Sequence, residues 1–167
     1  MNVDARPKII GAAVQRREDP RLLTGQGRFI DDISLPHMLH IAFCRSDHAH
    51  ARLVEVDVAA AAMPGVVAIF TGADLLGTFN PIRATSRMAD YHATELPVLA
   101  HDKVRYVGEA VAAVVAESRY LAEDAADCIV VSYEPLGDAV DVLANAEPGG
   151  PLLHEDAGTN VIVSRSF

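Results

Sequence analysis

The residues best suited to chemistry are His48 and His50, which flank Ala49 and follow Asp47. On a strand this spacing puts both imidazoles on one face with a carboxylate beside them, the beginning of a metal site. No carboxylate pair nearby completes the set, and a polar turn or strand edge accounts for the same residues. Glu109 follows Gly108 and precedes an apolar run, so it is expected to be partly desolvated, as catalytic carboxylates often are. It has no partner nucleophile or acid at a recognisable spacing and reads better as a turn carboxylate. Ser46, Ser132 and the seven histidines form no nucleophile, base and orienter set. Cys44 and Cys128 lie far apart between apolar neighbours, without the CxxC spacing of a metal site, and are expected to be two buried thiols.

Two further stretches bear on ligands. Gly25-Gln26-Gly27 lacks the third glycine and the surrounding βαβ unit of a dinucleotide site, and no Gly-Lys-Ser/Thr phosphate loop occurs. Asp102-Lys103-Val104 falls in a turn between extended segments and resembles the lysine hairpin of lipoyl or biotinyl carriers. Such carriers are about half as long, with a small residue after the lysine, so a solvent-exposed strand lysine is expected instead.

The elements that must position these groups follow from pattern. In a chain of 167 residues, half of them apolar and none Trp, one core of Val, Ala, Leu and Ile is expected. Residues 1–23 are charged around Pro20 and predict an extended arm. Residues 39–45 alternate loosely, with Leu39, Ile41 and Phe43 as the better core face. Val54, Val56 and Val58 alternate with Glu55 and Asp57, the period of a strand with one wet face. Residues 59–63 predict a short helix stopped by Pro64-Gly65, residues 66–70 a more buried strand, and Thr71 a helix N-cap. Residues 76–96 are irregular and polar, a long surface excursion. Residues 103–106 alternate as a strand and Ala110–Ala116 form a fully buried one. Ser118 caps a helix over Arg119–Asp127, with another strand over residues 129–133 and a helical turn at 141–146. This mixed order points to α+β: mixed strands and two main short helices in a single domain after an N-terminal arm.

The net charge of -9 opposes nucleic-acid binding and an anionic membrane surface. The longest apolar run is far short of the ~20 residues of a membrane span. Asp4, Arg6, Pro7 and Lys8 break residues 1–10 as a secretory signal, which makes a cytoplasmic location the expectation.

Four stretches then come together in order: Arg16-Arg17-Glu18-Asp19-Pro20-Arg21-Leu22-Leu23-Thr24-Gly25 with Gly27; Arg45-Ser46-Asp47-His48-Ala49-His50-Ala51; Met63-Pro64-Gly65-Val66-Val67-Ala68-Ile69-Phe70-Thr71-Gly72; and Val104-Arg105-Tyr106-Val107-Gly108-Glu109-Ala110-Val111-Ala112. With Glu123-Asp124-Ala125-Ala126 and Val131-Ser132-Tyr133-Glu134-Pro135-Leu136 they cover essentially the whole chain. Together they resemble the opening of the molybdopterin-binding large subunit of the xanthine dehydrogenase, aldehyde oxidase and carbon monoxide dehydrogenase family. Asp47 and Gly137 stand where that family commonly has Pro.

The resemblance implies an α/β hammerhead over residues 24–146, preceded by the arm of residues 1–23 and followed by an extended segment, 147–167, leading toward the molybdopterin domains. It implies a molybdenum cofactor in the full enzyme, with 2Fe–2S clusters and FAD on partner subunits or domains, and oxidation of an aldehyde, purine, N-heterocycle or carbon monoxide. The family's cofactor loops and catalytic glutamate lie beyond the equivalent of Phe167, and Glu109 does not correspond to that glutamate. No catalytic, cofactor or metal residue therefore carries over. The expected role is a split subunit or truncated large subunit acting as scaffold and partner surface, with a free-standing binding module as the alternative. Two interface candidates follow: Arg16, Arg17, Asp19 and Arg21 in the arm, and Val161, Val163 and Phe167 on one face of a terminal strand.

Overall fold

Short antiparallel strands, one of them made wholly of Ala and Val, build the body of the protein. The computed structural model describes residue 11, residues 13–137 and residues 139–166. In chain order the elements are α1 (Asp19–Leu23), β1 (His40–Arg45), β2 (Ala51–Asp57), β3 (Val66–Thr71), α2 (Gly72–Leu75), β4 (Ile82–Arg83), β5 (Glu95–Leu96), β6 (Lys103–Val104), β7 (Ala110–Ala116), α3 (Arg119–Asp127) and β8 (Val130–Pro135). Single 3-10 turns occur at Ile30–Asp32, Ala59–Ala61, Ala144–Ala146 and Glu155–Ala157. The chain divides into two units, one up to Met38 and one from Leu39 onward.

In the first unit a helical turn, α1, stands where an extended arm is expected. Pro20 in its first turn has the backbone angle a helix start needs, and Arg16 pairs with Asp19 at 3.2 Å. The charge pattern of this stretch hides so short a helix.

In the second unit, β7 is the centre of one sheet, ordered β1-β7-β3, and β2 the centre of another, ordered β6-β2-β8. Every ladder is antiparallel. α3 covers one face of the first sheet through the buried Ala125 and Ala126, which cluster with Ala112 and Val114 of β7 and with Ala42 and Cys44 of β1. These small side chains let helix and sheet approach closely. A second cluster, Ala51, Ala100, Val104 and Val111 with Leu53 and Tyr133, joins the two sheets.

Two face assignments differ from the sequence pattern. In β1 the inward residues are Ala42 and Cys44, whereas Leu39, Ile41 and Phe43 point outward. In β2 a bulge between Leu53 and Glu55 turns Val54 outward while Leu53 and Val56 stay inside. The expected helix at 59–63 is only the 3-10 turn Ala59–Ala61, and the polar excursion contains the two-residue ladder of β4 with β5.

Ser118 caps α3 as its position suggests, accepting the Leu121 N–H at 3.3 Å. Ser118→Ala is expected to cost about 1 kcal/mol, because it leaves that N–H without its acceptor. Urea unfolding of the two proteins measures this; equal midpoints would refute it.

Candidate functional site

The sequence-singled residues meet first at the junction of the two sheets. The Ser46 N–H donates to Glu109 O at 2.9 Å, the Gly108 N–H to Ser46 O at 2.7 Å, and Arg45 Nη1 to Gly108 O at 2.9 Å. Gly108 has φ +91, a left-handed turn that suits glycine. The Glu109 carboxylate, almost fully buried, closes this turn by accepting the Arg105 N–H at 2.5 Å. Burial pushes the Glu109 carboxyl up, while the bond from Arg105 pulls it back. It is a turn carboxylate, as its position predicts.

The two histidines diverge. His48 stacks on Tyr133 with ring centroids 4.4 Å apart, and its Nδ1 lies 2.7 Å from Asp47 Oδ1. That bond holds the exposed Asp47 carboxyl below the usual carboxylate range. His50 is buried, with Nδ1 2.6 Å from the Gly137 carbonyl; a carbonyl only accepts, so the Nδ1–H donates this hydrogen bond. Among the described residues no group of three or more His, Cys, Asp or Glu side chains could hold a metal ion. The motif residues 45–51, 104–112 and 131–136 thus grip one another, and their role here is to lock the sheets together.

Lys103 departs from its expected exposure. Its side chain is 8% exposed, and Nζ reaches Glu155 Oε1 at 2.6 Å and Leu152 O at 3.3 Å. A hairpin lysine for covalent loading has to project into solvent, so the carrier reading loses its footing. The alternation of residues 103–106 hid this, because the partner carboxylate lies 52 positions away.

The segment bearing Glu155 folds back on the second unit. Asn160 holds it in shape, accepting the Leu153 N–H at 3.1 Å and donating to Pro151 O at 2.8 Å and Asn145 O at 3.1 Å. The His92 N–H donates to Ile162 O at 2.9 Å. Val161 and Val163 are half-buried here and belong to no ladder, so the expected terminal strand does not form among the described residues; Phe167 lies outside them. Arg16, Asp19 and Arg21 gather at α1 beside the exposed Arg17.

Two surfaces remain. A cleft of about 580 Å³ is lined by apolar Leu75, Phe79 and Leu99 and by polar His101, Arg105 and His154. The other is the face of the β1-β7-β3 sheet opposite α3. Phe43 and Phe70 sit opposite Ala113 from either side, and Ile41 and Ala68 flank Val115. Ile41 is 57% exposed, Phe43 and Phe70 each 40%. Arg45 lies over the Phe43 ring at 5.3 Å, a charged rim to an apolar face. The outer face of the second sheet is mixed: the Arg52–Glu134 pair at 3.0 Å, Glu55 and Ser132 stand among the exposed Val54 and Val130. The first face, with its contiguous large side chains, is the more apolar of the two. Sequence reasoning missed the apolar face, although a strand apolar on both sides was its signal.

A family model described as the a/b hammerhead domain of aldehyde oxidase and xanthine dehydrogenase matches residues 24–137. The nicotine 6-hydroxylase large subunit of Paenarthrobacter nicotinovorans is 42% identical over 154 residues, 92% of this chain and 19% of that protein. The carbon monoxide dehydrogenase large chain of Afipia carboxidovorans is 43% identical over 148 residues, 88% of this chain and 18% of its own length. The crystal structure of quinoline 2-oxidoreductase from Pseudomonas putida 86 matches with a TM-score of 0.80 and 45% identity, covering 92% of this chain and 20% of that one. The chain spans about a fifth of the length of the curated relatives it matches.

Proposed function

Because this chain belongs to the aldehyde oxidase and xanthine dehydrogenase a/b hammerhead family, we propose that it is the hammerhead module of a molybdenum hydroxylase and supplies scaffold and partner surface. The observation that carries this is the apolar outer face of the β1-β7-β3 sheet, where Ile41, Phe43 and Phe70 lie open side by side. Burying the 40–57% of those three residues that is still exposed is worth about 1 kcal/mol each before the costs of association.

The neighbour we propose is the molybdopterin-binding remainder of the large subunit, with iron–sulfur and flavin subunits beyond it. The relatives support this: one is named a large molybdopterin subunit, and another is solved as a Cu,Mo-CO dehydrogenase. The full enzyme would then oxidise a small molecule such as an aldehyde, a purine, an N-heterocycle or carbon monoxide. The residues of this chain do not themselves fit a phosphate-bearing pterin: the cleft sets four carboxylates, Glu95, Asp102, Glu155 and Asp156, against two guanidinium groups, Arg83 and Arg105, which leaves its lining net negative. We take residues 24–146 as the hammerhead and 147–167 as the lead toward that remainder. Arg16, Arg17, Asp19 and Arg21 in the first unit, and Val161 and Val163 in the second, are further partner contacts under this reading, each taken by itself. A cytoplasmic location accords with two unpaired thiols and with the lack, among the described residues, of a helix long and apolar enough to cross a membrane.

Co-expression of the chain with the molybdopterin-binding portion of the large subunit tests the proposal. The wild-type chain should co-purify, and Phe43→Lys with Phe70→Lys should weaken association at least about tenfold while far-UV circular dichroism stays unchanged. Undiminished association of the folded double variant would sink the assignment of this face.

A further inference from the structure

The Lys103 ammonium is buried, and its two acceptors, Glu155 Oε1 and Leu152 O, both belong to the segment that folds back after residue 150. An ammonium out of water depends on its counter-charge, since losing one partner of a buried pair leaves the other uncompensated. The Glu155 side chain, by contrast, is 66% exposed and can take a proton from solvent with no prior movement. His154, next to it, faces Arg105 and Lys103 from the body, and Glu155 and Asp156 from its own turn. On the body side Lys103 has Arg105 and Asp102 as its charged neighbours, with Arg105 Nη2 3.5 Å from Asp102 Oδ2. The segment has no ladder pairing, and His154, Glu155, Asp156 and Ala157 form one wall of the 580 Å³ cleft.

We propose that residues 151–163 are a strap latched on Lys103, which acid releases from the body so that the cleft opens while the two sheets stay folded. Protonating Glu155 removes the counter-charge of a buried cation, and protonating His154 adds a positive charge beside Lys103 and Arg105. Both act on the same contact.

The titration directions agree in sign. The hydrogen bond from Lys103 holds the Glu155 carboxyl below its ordinary 4.5, and burial, then Arg105 and Lys103, hold His154 below its ordinary 6.5. A depressed folded value contributes stability that is present above the unfolded value and lost as pH falls through the folded one. Release therefore begins below 6.5 with His154 and completes below 4.5 with Glu155. Glu109, at the junction of the sheets, is faced by Arg105, Asp102 and Tyr106, and burial raises it. Its contribution has the reverse sign, present in acid and lost as pH rises. At the junction, acid loosens the contact of the exposed Asp47 carboxyl with His48 but favours the buried Glu109, whereas both shifts on the strap, at His154 and Glu155, have the acid-labile sign.

Hydrogen exchange on the full chain at about pH 7.5 and about pH 4, corrected for the intrinsic pH dependence of exchange, tests this. At the lower pH the Leu153, Val161 and His92 amides should lose at least about tenfold in protection, with the β7 amides within about twofold. Glu155→Gln should reproduce the strap's loss at the higher pH with β7 still protected. The proposal is overturned by a strap that keeps its protection in acid, by strap and β7 amides failing together, or by Glu155→Gln protected like the wild type.

Discussion

Gly72→Ala is expected to cost at least ~4 kcal/mol, a large share of the ~5–15 kcal/mol that holds a domain of this size together. Gly72 opens α2 directly after β3, where Thr71 is tied back by its N–H and its hydroxyl, both donating to Asp74 Oδ2 at 2.7 Å. A Cβ at position 72 would lie 2.1 Å from the Ala100 carbonyl oxygen, 2.6 Å from its carbon and 2.9 Å from His101 Cα. These are backbone atoms and cannot swing aside as a side chain can. Nor can that stretch retreat, because Ala100 is buried and its N–H donates to Ala110 O at 2.8 Å, at the start of β7. Relief of the clash must therefore disturb the central strand. Gly77→Ala is the matched control: nothing lies within 4 Å of its Cβ and only the left-handed backbone, φ +74, is penalised, at about 1–2 kcal/mol. Urea unfolding of both variants decides the matter, and a Gly72→Ala midpoint equal to that of Gly77→Ala would contradict the steric account.

Ala125→Leu is expected to cost up to ~3 kcal/mol, at the upper end for an overpacked core. Ala125 has no solvent exposure and stands in the cluster with Ala61, Ala112, Val114, Ala126 and Ile129. Three added carbon atoms have no space there and must push α3 off the sheet. Helix propensity does not offset this, since Leu is close to Ala on that scale. Glu123→Leu, on the exposed side of the same helix, should change stability by no more than ~0.5 kcal/mol. Equal urea midpoints for the two variants would show that α3 rests on the sheet more loosely than the buried alanines imply.

How much of this was legible in the sequence depended on whether the partner of each residue lay nearby. β7 reads directly from Ala110–Ala116, α3 from Ser118 and the helical spacing of Leu121, Ala125 and Cys128, and the α2 cap from Thr71. The turn role of Glu109 was also readable, because Gly108 and Arg105 are its near neighbours. The orientation of β1 was not: both its faces are apolar, and hydrophobicity alone cannot say that the small pair Ala42 and Cys44 is what α3 needs. Val54 misled for a different reason, since a bulge breaks the period of two that assigned it inward. For the site, the divergence of His48 and His50 depended on Tyr133 and Gly137, more than eighty positions later. Lys103 looked like a wet strand residue because nothing in its surroundings announces Glu155.

The placement of β7 between β1 and β3 has a consequence for synthesis. Neither flanking strand pairs with the other, so both leave the ribosome without their ladder and must wait until Ala110–Ala116 has emerged. During that interval the aromatic side chains of β1 and β3 are exposed together with unpaired strand edges, the condition under which nascent chains stick to one another. A sheet whose central strand is made after both of its neighbours thus leaves those neighbours open to mispairing until that strand emerges.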